Sequence, residues 1–356
     1  MSTIYDVARV ARVSPKTVSR VLNGDAPVGR ETRAAVEAAI DQLGYVPSSA
    51  ARTMRSNRSG LVGLVTGAIS LSPDQPALSG LPDLFIVQGV QRALEAAGMT
   101  LLISDTGGRS DRVPELIRTF VQHRVEGIIH VADYHREVSL PKVPQGTRLV
   151  LANCFDAAGT PAVVPDDRHG QDQLVARMIA AGHRRIAYLT LSAEMVATGL
   201  RVQGYRDALA AAGIADDPAL VVEADVPVDD PQAEMRRLAE ALDHVLALPD
   251  PPTALCLGND RMAVRAYGML RSRGLDLPRD LSIAGYDDYR AIAESLYPTL
   301  TTAELPYAAI GTRAAERLVA LIRGADGAGS APEKVPGRLA WRASVLPRAP
   351  EHQAIS

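Results

Sequence analysis

Aromatic residues are scarce in this 356-residue chain: one tryptophan, ten tyrosines and three phenylalanines, 4% of the whole. Flat rings and pyranose faces are usually gripped by aromatic platforms, so few side chains remain for a cleft of that kind. Cysteine is scarcer still, with Cys154 and Cys256 alone. Each falls in a strand-like apolar run, RLVLANC and TALCLGND. That excludes a disulfide scaffold and fits reduced core thiols of a cytoplasmic protein. No run approaches the roughly 18 uninterrupted apolar residues of a membrane span. Met1 to Tyr5 leads straight into a helical pattern, with no apolar leader.

Catalytic signatures are missing as well. DTGGRSD follows a strand-like run but lacks the G-x-x-x-x-G-K-[ST] of a phosphate loop and reads as a turn. There is no G-x-S-x-G elbow, and the seven histidines and two cysteines show no metal-ligand spacing. Asp287 and Asp288 are adjacent, so their side chains need not share a face as an acid/base pair would. No catalytic residue, cofactor or metal site is expected. What remains is a globular composition, 47% hydrophobic and 22% charged, in a chain long enough for two or three domains.

The stretch that organises the chain is IYDVARVARVSPKTVSRVLN, residues 4 to 23. Ile4, Val7, Ala8, Ala11, Val13, Val18, Val21 and Leu22 fall at helix spacing in two blocks around a break at Arg12 and Val13. Two short helices can therefore share one small core. Ser14 before Pro15 suits N-cap and N1 of the second helix, which then exposes Pro15, Lys16, Thr17, Ser19 and Arg20. This is the pattern of a helix-turn-helix whose second helix fits a major groove. Residues 1–60 carry nine Lys/Arg against five Asp/Glu, +4; with −3 overall the remainder carries −7. A basic head on an acidic body attracts phosphate at one end only.

DVARVARVSPKTVSRVLNG, continued by ETRAAVEAAIDQLGYVPSSAAR, resembles the N-terminal signature of the lactose-repressor (LacI/GalR) family of bacterial transcription regulators. The turn position that the family usually gives to glycine is Arg12 here, at a cost of about 1 kcal/mol if its φ is positive. The resemblance implies DNA contacts for Tyr5, Ser14, Pro15, Lys16, Thr17, Ser19, Arg20 and Asn23. It also implies a hinge helix over 46–59, with Ala51, Met54 and Arg55 at the minor groove and Met54 as the apolar wedge. The plainer reading of 46–59 is a flexible linker.

From residue 61 strand-like and helical segments alternate, which argues for parallel sheets covered by helices on both faces. AAGHRRIAYLT, RVQGYRDALAAAG and DLSIAGYDD match family blocks in order. The resemblance implies an all-α helix-turn-helix head over 1–45, then an α/β core of two lobes like periplasmic sugar-binding proteins over 60–346, then a tail at 347–356. The first lobe would hold about 60–162 and 303–327, the second about 163–301 and 330–346, with crossings near 162–164, 301–303 and 327–330.

Effector contacts carry over to Arg201, Asn259 and Asp287, with Asp166, His130 and Tyr134 near the expected cleft loops. The plainer readings are a salt bridge from Arg201 to Asp287 or another acid, and a core histidine at His130. Pro82, Asp83 and Val226 stand where the family often has aromatics, so simple sugars are expected to bind weakly. Arg201→Ala is expected to spare folding and DNA binding while abolishing the ligand response. The function implied is a sequence-specific repressor on a pseudo-palindromic double-stranded operator, as a homodimer or a tetramer, modulated by a small-molecule effector such as a sugar. The alternative is an effector-independent or corepressor-dependent regulator with a degenerate cleft. No membrane partner is expected.

Overall fold

The structure, a computed structural model, describes residues 2–24, 28–46, 58–67, 69, 81–140, 143–144, 146–226, 230–325 and 331–348. It divides into two units, 1–60 and 61–356.

In the first unit α1 (Ile4–Val10), α2 (Pro15–Asn23) and α3 (Arg30–Leu43) close on Val7, Ala8, Val18, Val21, Val36 and Ala39. Local chemistry sets each boundary. Thr3 and Asp6 form a capping box at the start of α1. Ser14 caps α2, accepting from the Thr17 amide, with Pro15 at the first helical position. Gly24 and Gly44 end α2 and α3 at φ 67° and 54°. Arg12 does take the left-handed conformation, φ 55°, so the turn bears a strain that glycine would not. The hinge segment, and with it Ala51, Met54 and Arg55, lies almost wholly outside the described residues.

In the second unit each apolar run becomes a strand of one of two six-stranded sheets. The strands β1 (Leu61–Thr66), β2 (Thr100–Asp105), β3 (Gly127–Glu137), β4 (Leu149–Phe155), β5 (Ala162–Pro165) and β11 (Glu333–Val335) form the first, in the order β11-β5-β4-β3-β1-β2. The second holds β6 (Ile186–Thr190), β7 (Val221–Glu223), β8 (Ala254–Leu257), β9 (Ser282–Asp287), β10 (Thr301–Glu304) and β12 (Leu339–Ala340), in the order β12-β10-β9-β8-β6-β7. Every recorded pairing is parallel except that of β10 with β12. The central strands β1, β4, β5, β6, β8 and β9 are almost wholly buried and read as continuous apolar runs, which is why they were legible. Cys154 and Cys256 lie inside them, and burial pushes both thiols up to about 12.

Helices α4 (Leu81–Ala96), α5 (Val113–Gln122) and α11 (Tyr307–Ile322) cover the first sheet. Helices α6 (Asp167–Ala180), α7 (Val196–Ala211), α8 (Pro231–Leu246) and α9 (Asp260–Ser272) cover the second, and α10 (Arg290–Ala293) follows β9. The chain passes between lobes after β5, after β10 and between β11 and β12. The third passage is therefore at 336–338, not 327–330: Glu333, Lys334 and Val335 still pair with β5. The second lobe regains the chain at Leu339, not at 330.

Close helix approach depends on glycine. A Cβ on Gly89 would lie 2.1 Å from the Ala308 carbonyl oxygen, and one on Gly311 2.0 Å from that of Ile86. Backbone stands in the way, so the helices would have to part. Gly311→Ala will destabilise the core by about 1–3 kcal/mol, read as a lower urea midpoint; an unchanged midpoint would mean that α4 and α11 need not cross so closely.

Candidate functional site

On α2, Val18 and Val21 turn inward, which leaves Ser14, Lys16 and Arg20 exposed and Pro15, Thr17 and Ser19 half-buried. The Ser14 and Thr17 hydroxyls lie 2.9 Å apart at the start of the helix. Tyr5, on α1, is 72% exposed. Asn23 closes α2, and its side chain is outside what the structure describes. The face presents hydroxyls and amides at its positive end and two cations along its length, groups that meet phosphate and base edges.

In the core, the carboxyl ends of the strands bring charged groups together. Asp167 begins α6, and its side chain is fully buried. Its Oδ1 accepts from Arg201 Nε at 2.7 Å. Its Oδ2 lies 2.8 Å from His135 Nδ1, on β3 of the first lobe. Burial pushes this carboxyl up, but Arg201 and His135 outweigh it and hold the group below its ordinary value. Ionised, it accepts from both. Arg201 also donates Nη1 to the Gly258 carbonyl at 2.8 Å and stacks on the Tyr286 ring at 3.6 Å. Its acid partner is thus Asp167, and it is 3% exposed. Removing it would leave a buried carboxylate without its cation, at a cost of about 3–5 kcal/mol. The expectation that Arg201→Ala spares folding is corrected on that ground.

Asp287 ends β9 at φ 122° and Asp288 follows at φ 49°, two consecutive non-glycine residues in strained conformations. Burial first, and then the neighbouring Asp260, raise the Asp287 carboxyl well above its ordinary value. Asp260 itself, buried between β9 and β10, is raised to about 7 by burial. It accepts from Thr302 Oγ1 at 2.7 Å and from the Tyr289 amide at 2.8 Å. Asp288 pairs with Arg342 at 2.6 Å. Asp287 lines a cavity of ≈ 360 Å³ with Phe85 of α4, Tyr289, Glu304, Leu305 and Tyr307.

The expected cleft residues do not all meet there. Asn259 caps α9, accepting from the Met262 amide, and Asp166 caps α6, accepting from the His169 amide. Tyr134 is exposed and carries the Arg136 cation over its ring. His130 faces a different cavity in the first lobe. Sequence reasoning missed Asp167 and His135, Asp260, and the two aromatics Phe85 and Tyr307. The signal for Phe85 was present: one of three phenylalanines, at an exposed position of an otherwise apolar helix start. Pro82 and Asp83 lie in α4, in the same first turns as Phe85.

Residues 3–48 match the model of bacterial regulatory proteins of the lacI family, and 175–345 match that of a periplasmic binding protein-like domain. The ribose operon repressor of Escherichia coli (strain K12) is 32% identical over 326 residues, covering 90% of this chain and 92% of its own. The transcriptional regulator CelR of Thermobifida fusca is 34% identical over 341 residues, 90% and 92%. The chain belongs to the lacI family. Among solved structures, the Lac repressor dimer bound to operator and an anti-inducer superposes with TM-score 0.74 at 27% identity, covering 97% of this chain and 99% of that one. The CelR–cellobiose complex gives 0.62 at 31%, covering 97% and 100%. This lacI-family member is thus a DNA-binding transcription regulator and not an enzyme. No helix among its described residues is long and apolar enough to cross a membrane.

A carboxyl raised by burial favours the folded state when protonated. Its contribution is complete below the unfolded value of 3.8 and is lost as pH rises through about 7. Asn at 260 can accept from Tyr289 and donate to Thr302 without a charge. Asp260→Asn will therefore gain stability relative to wild type as pH rises between these values, by up to about 1.4 kcal/mol per pH unit. Urea unfolding at several pH values checks this; a constant difference would mean that Asp260 is ionised throughout.

Proposed function

We propose that the protein acts in the cytoplasm as a homodimeric repressor on a two-fold symmetric operator, with a neutral hydroxylated effector in the cavity of Phe85, Asp287 and Tyr307 setting its affinity. Two-fold protein symmetry calls for two-fold DNA symmetry, one α2 in each of two successive major grooves. Arg20 and Lys16 read bases, and Ser14, Thr17 and Tyr5 position the helix on phosphates.

The observation that carries the effector reading is the convergence of aromatic faces from the first lobe with a carboxyl from the second in one cavity. Rings stack against the apolar face of a sugar, while carboxyl oxygens take its hydroxyls. Asp287, its carboxyl raised well above the ordinary value by burial, is an uncharged hydrogen-bonding group there, which suits a neutral ligand. Relatives named for ribose and cellobiose support the same class. Arg201 acts indirectly in this reading: it holds Tyr286, directly before Asp287, in place. An effector that bridges the lobes favours one of their arrangements and shifts the population able to hold DNA.

Arg20→Ala will weaken binding to the cognate operator by about 1–3 kcal/mol and reduce the preference over random DNA. Fluorescence anisotropy on both sequences checks it; equal losses would make Arg20 a phosphate contact only. Operator titrations with ribose, sucrose and cellobiose test the effector, in the direction of either release or tighter binding. Tyr307→Ala will weaken that response roughly tenfold or more while leaving sugar-free operator affinity unchanged. A full response in Tyr307→Ala, or none in wild type, overturns this site assignment.

A further inference from the structure

A second cavity of ≈ 380 Å³ lies wholly within the first lobe, at the carboxyl ends of β1, β2 and β3. It shares no lining residue with the cavity of Asp287. The order β3-β1-β2 makes β1 the switch point of this sheet, the place where open parallel sheets bind ligands. Val113 and Pro114 at the start of α5 form one wall, and Val138 and Leu140 beyond β3 another.

Two residues that line it each hold a buried atom without a hydrogen-bond partner, the Nδ1 of His130 and the Nε of Arg136. His130 is 4% exposed. Burial, and then Arg136, lower its ring to about 4, so it is neutral at neutral pH. A neutral imidazole carries one proton for two nitrogens, so one of them is an acceptor. Asp133, exposed at the surface, lines it beside Gly67, where a Cβ would lie 2.7 Å from its Oδ1. Its carboxyl is raised by burial and by Asp105, with Arg136 acting against them. Asp111 and Glu137 stand at the rim. Buried polar groups left unpaired are costly, and two of them here belong to residues that line one cavity.

We propose that this cavity binds a small zwitterion of the free amino acid type, whose carboxylate meets the Arg136 guanidinium and whose ammonium meets Asp133. One cation against several acids disfavours a simple anion, and an ammonium relieves the carboxylates that crowd Asp133. Among the described residues no Phe, Tyr or Trp, the platform that would select a pyranose, lines the cavity. The apolar walls from Val113, Pro114, Val138 and Leu140 accept an aliphatic side chain. Arg136 and Asp133 flank His135, the residue bonded to Asp167, so the site acts on the segment that joins the lobes.

The test is thermal unfolding of the full-length protein with each of the common L-amino acids at millimolar concentration, with glycerol and ribose alongside. At least one amino acid will raise the melting temperature saturably. Arg136→Met, and independently Ser139→Tyr at the rim, will weaken that effect tenfold or more while operator binding shows that both variants fold. Tyr307→Ala will leave it intact. The proposal fails if no amino acid shifts wild type, or if glycerol and ribose do as well. It fails too if Arg136→Met and Ser139→Tyr bind like wild type, or if Tyr307→Ala abolishes the effect.

Discussion

A carboxylate with no solvent around it must be paired, and the core of this regulator depends on how Asp167 meets that demand. Its side chain is fully buried at the start of α6. One oxygen takes Arg201, from α7 of the same lobe, and the other takes His135, from β3 of the opposite lobe. The contact with His135 is therefore a joint between lobes made of charge and hydrogen bonds, not of apolar surface. Such joints add little net stability, because desolvation offsets most of the Coulomb gain. What they supply is a definite geometry: an apolar seam could slide, whereas a bond near 2.8 Å is either made or broken.

The constraint passes from Asp167 to the effector cavity through two short contacts. Arg201 lies on the Tyr286 ring, and Tyr286 donates its hydroxyl to the Asp167 carbonyl. Gly170 leaves room for that ring, since a Cβ there would fall 2.2 Å from its oxygen. With Tyr286 fixed, the chain must turn sharply after β9, and Asp287 and Asp288 absorb the turn with positive φ. Asp260, Thr302 and Arg342 hold the strained corner from behind. Strain of this sort persists only where the surroundings over-determine it, and it aims the Asp287 carboxyl into the cavity.

The head was legible nearly residue by residue. Ser14 and Pro15 begin α2, Gly44 ends α3, and Arg12, which stands where the family usually has glycine, takes the left-handed conformation. Each of these is a short-range effect, decided within four residues. The strands were legible too, because a central parallel strand covered on both faces leaves an unbroken apolar run such as LVGLVT. The cavity was not. Asn259 and Asp166 stand at strand ends, where polar side chains gather, yet both are used as helix caps. Nothing in the spacing of a lone Asp or Asn separates a cap from a ligand contact, since both sit at the carboxyl ends of strands before helices. The scarcity of aromatics also misled, because Phe85 and Tyr307 are far apart in sequence and meet only through the crossing of α4 and α11.

By itself, then, the sequence determined the helix-turn-helix, the alternation of strand and helix, the class of fold and the family. The family rests on the resemblance of its motifs, and the rest on local periodicity, capping and the apolar pattern, which need no knowledge of distant partners. Tertiary structure alone decided which acid meets Arg201, where the third crossing falls, which residues share each cavity, and that His130 and Asp287 belong to different ones. Those outcomes depend on side chains separated by tens to hundreds of residues. The energy that selects among them is the cost of burying a charge without its partner, and that cost exists only once the two lobes have closed around it.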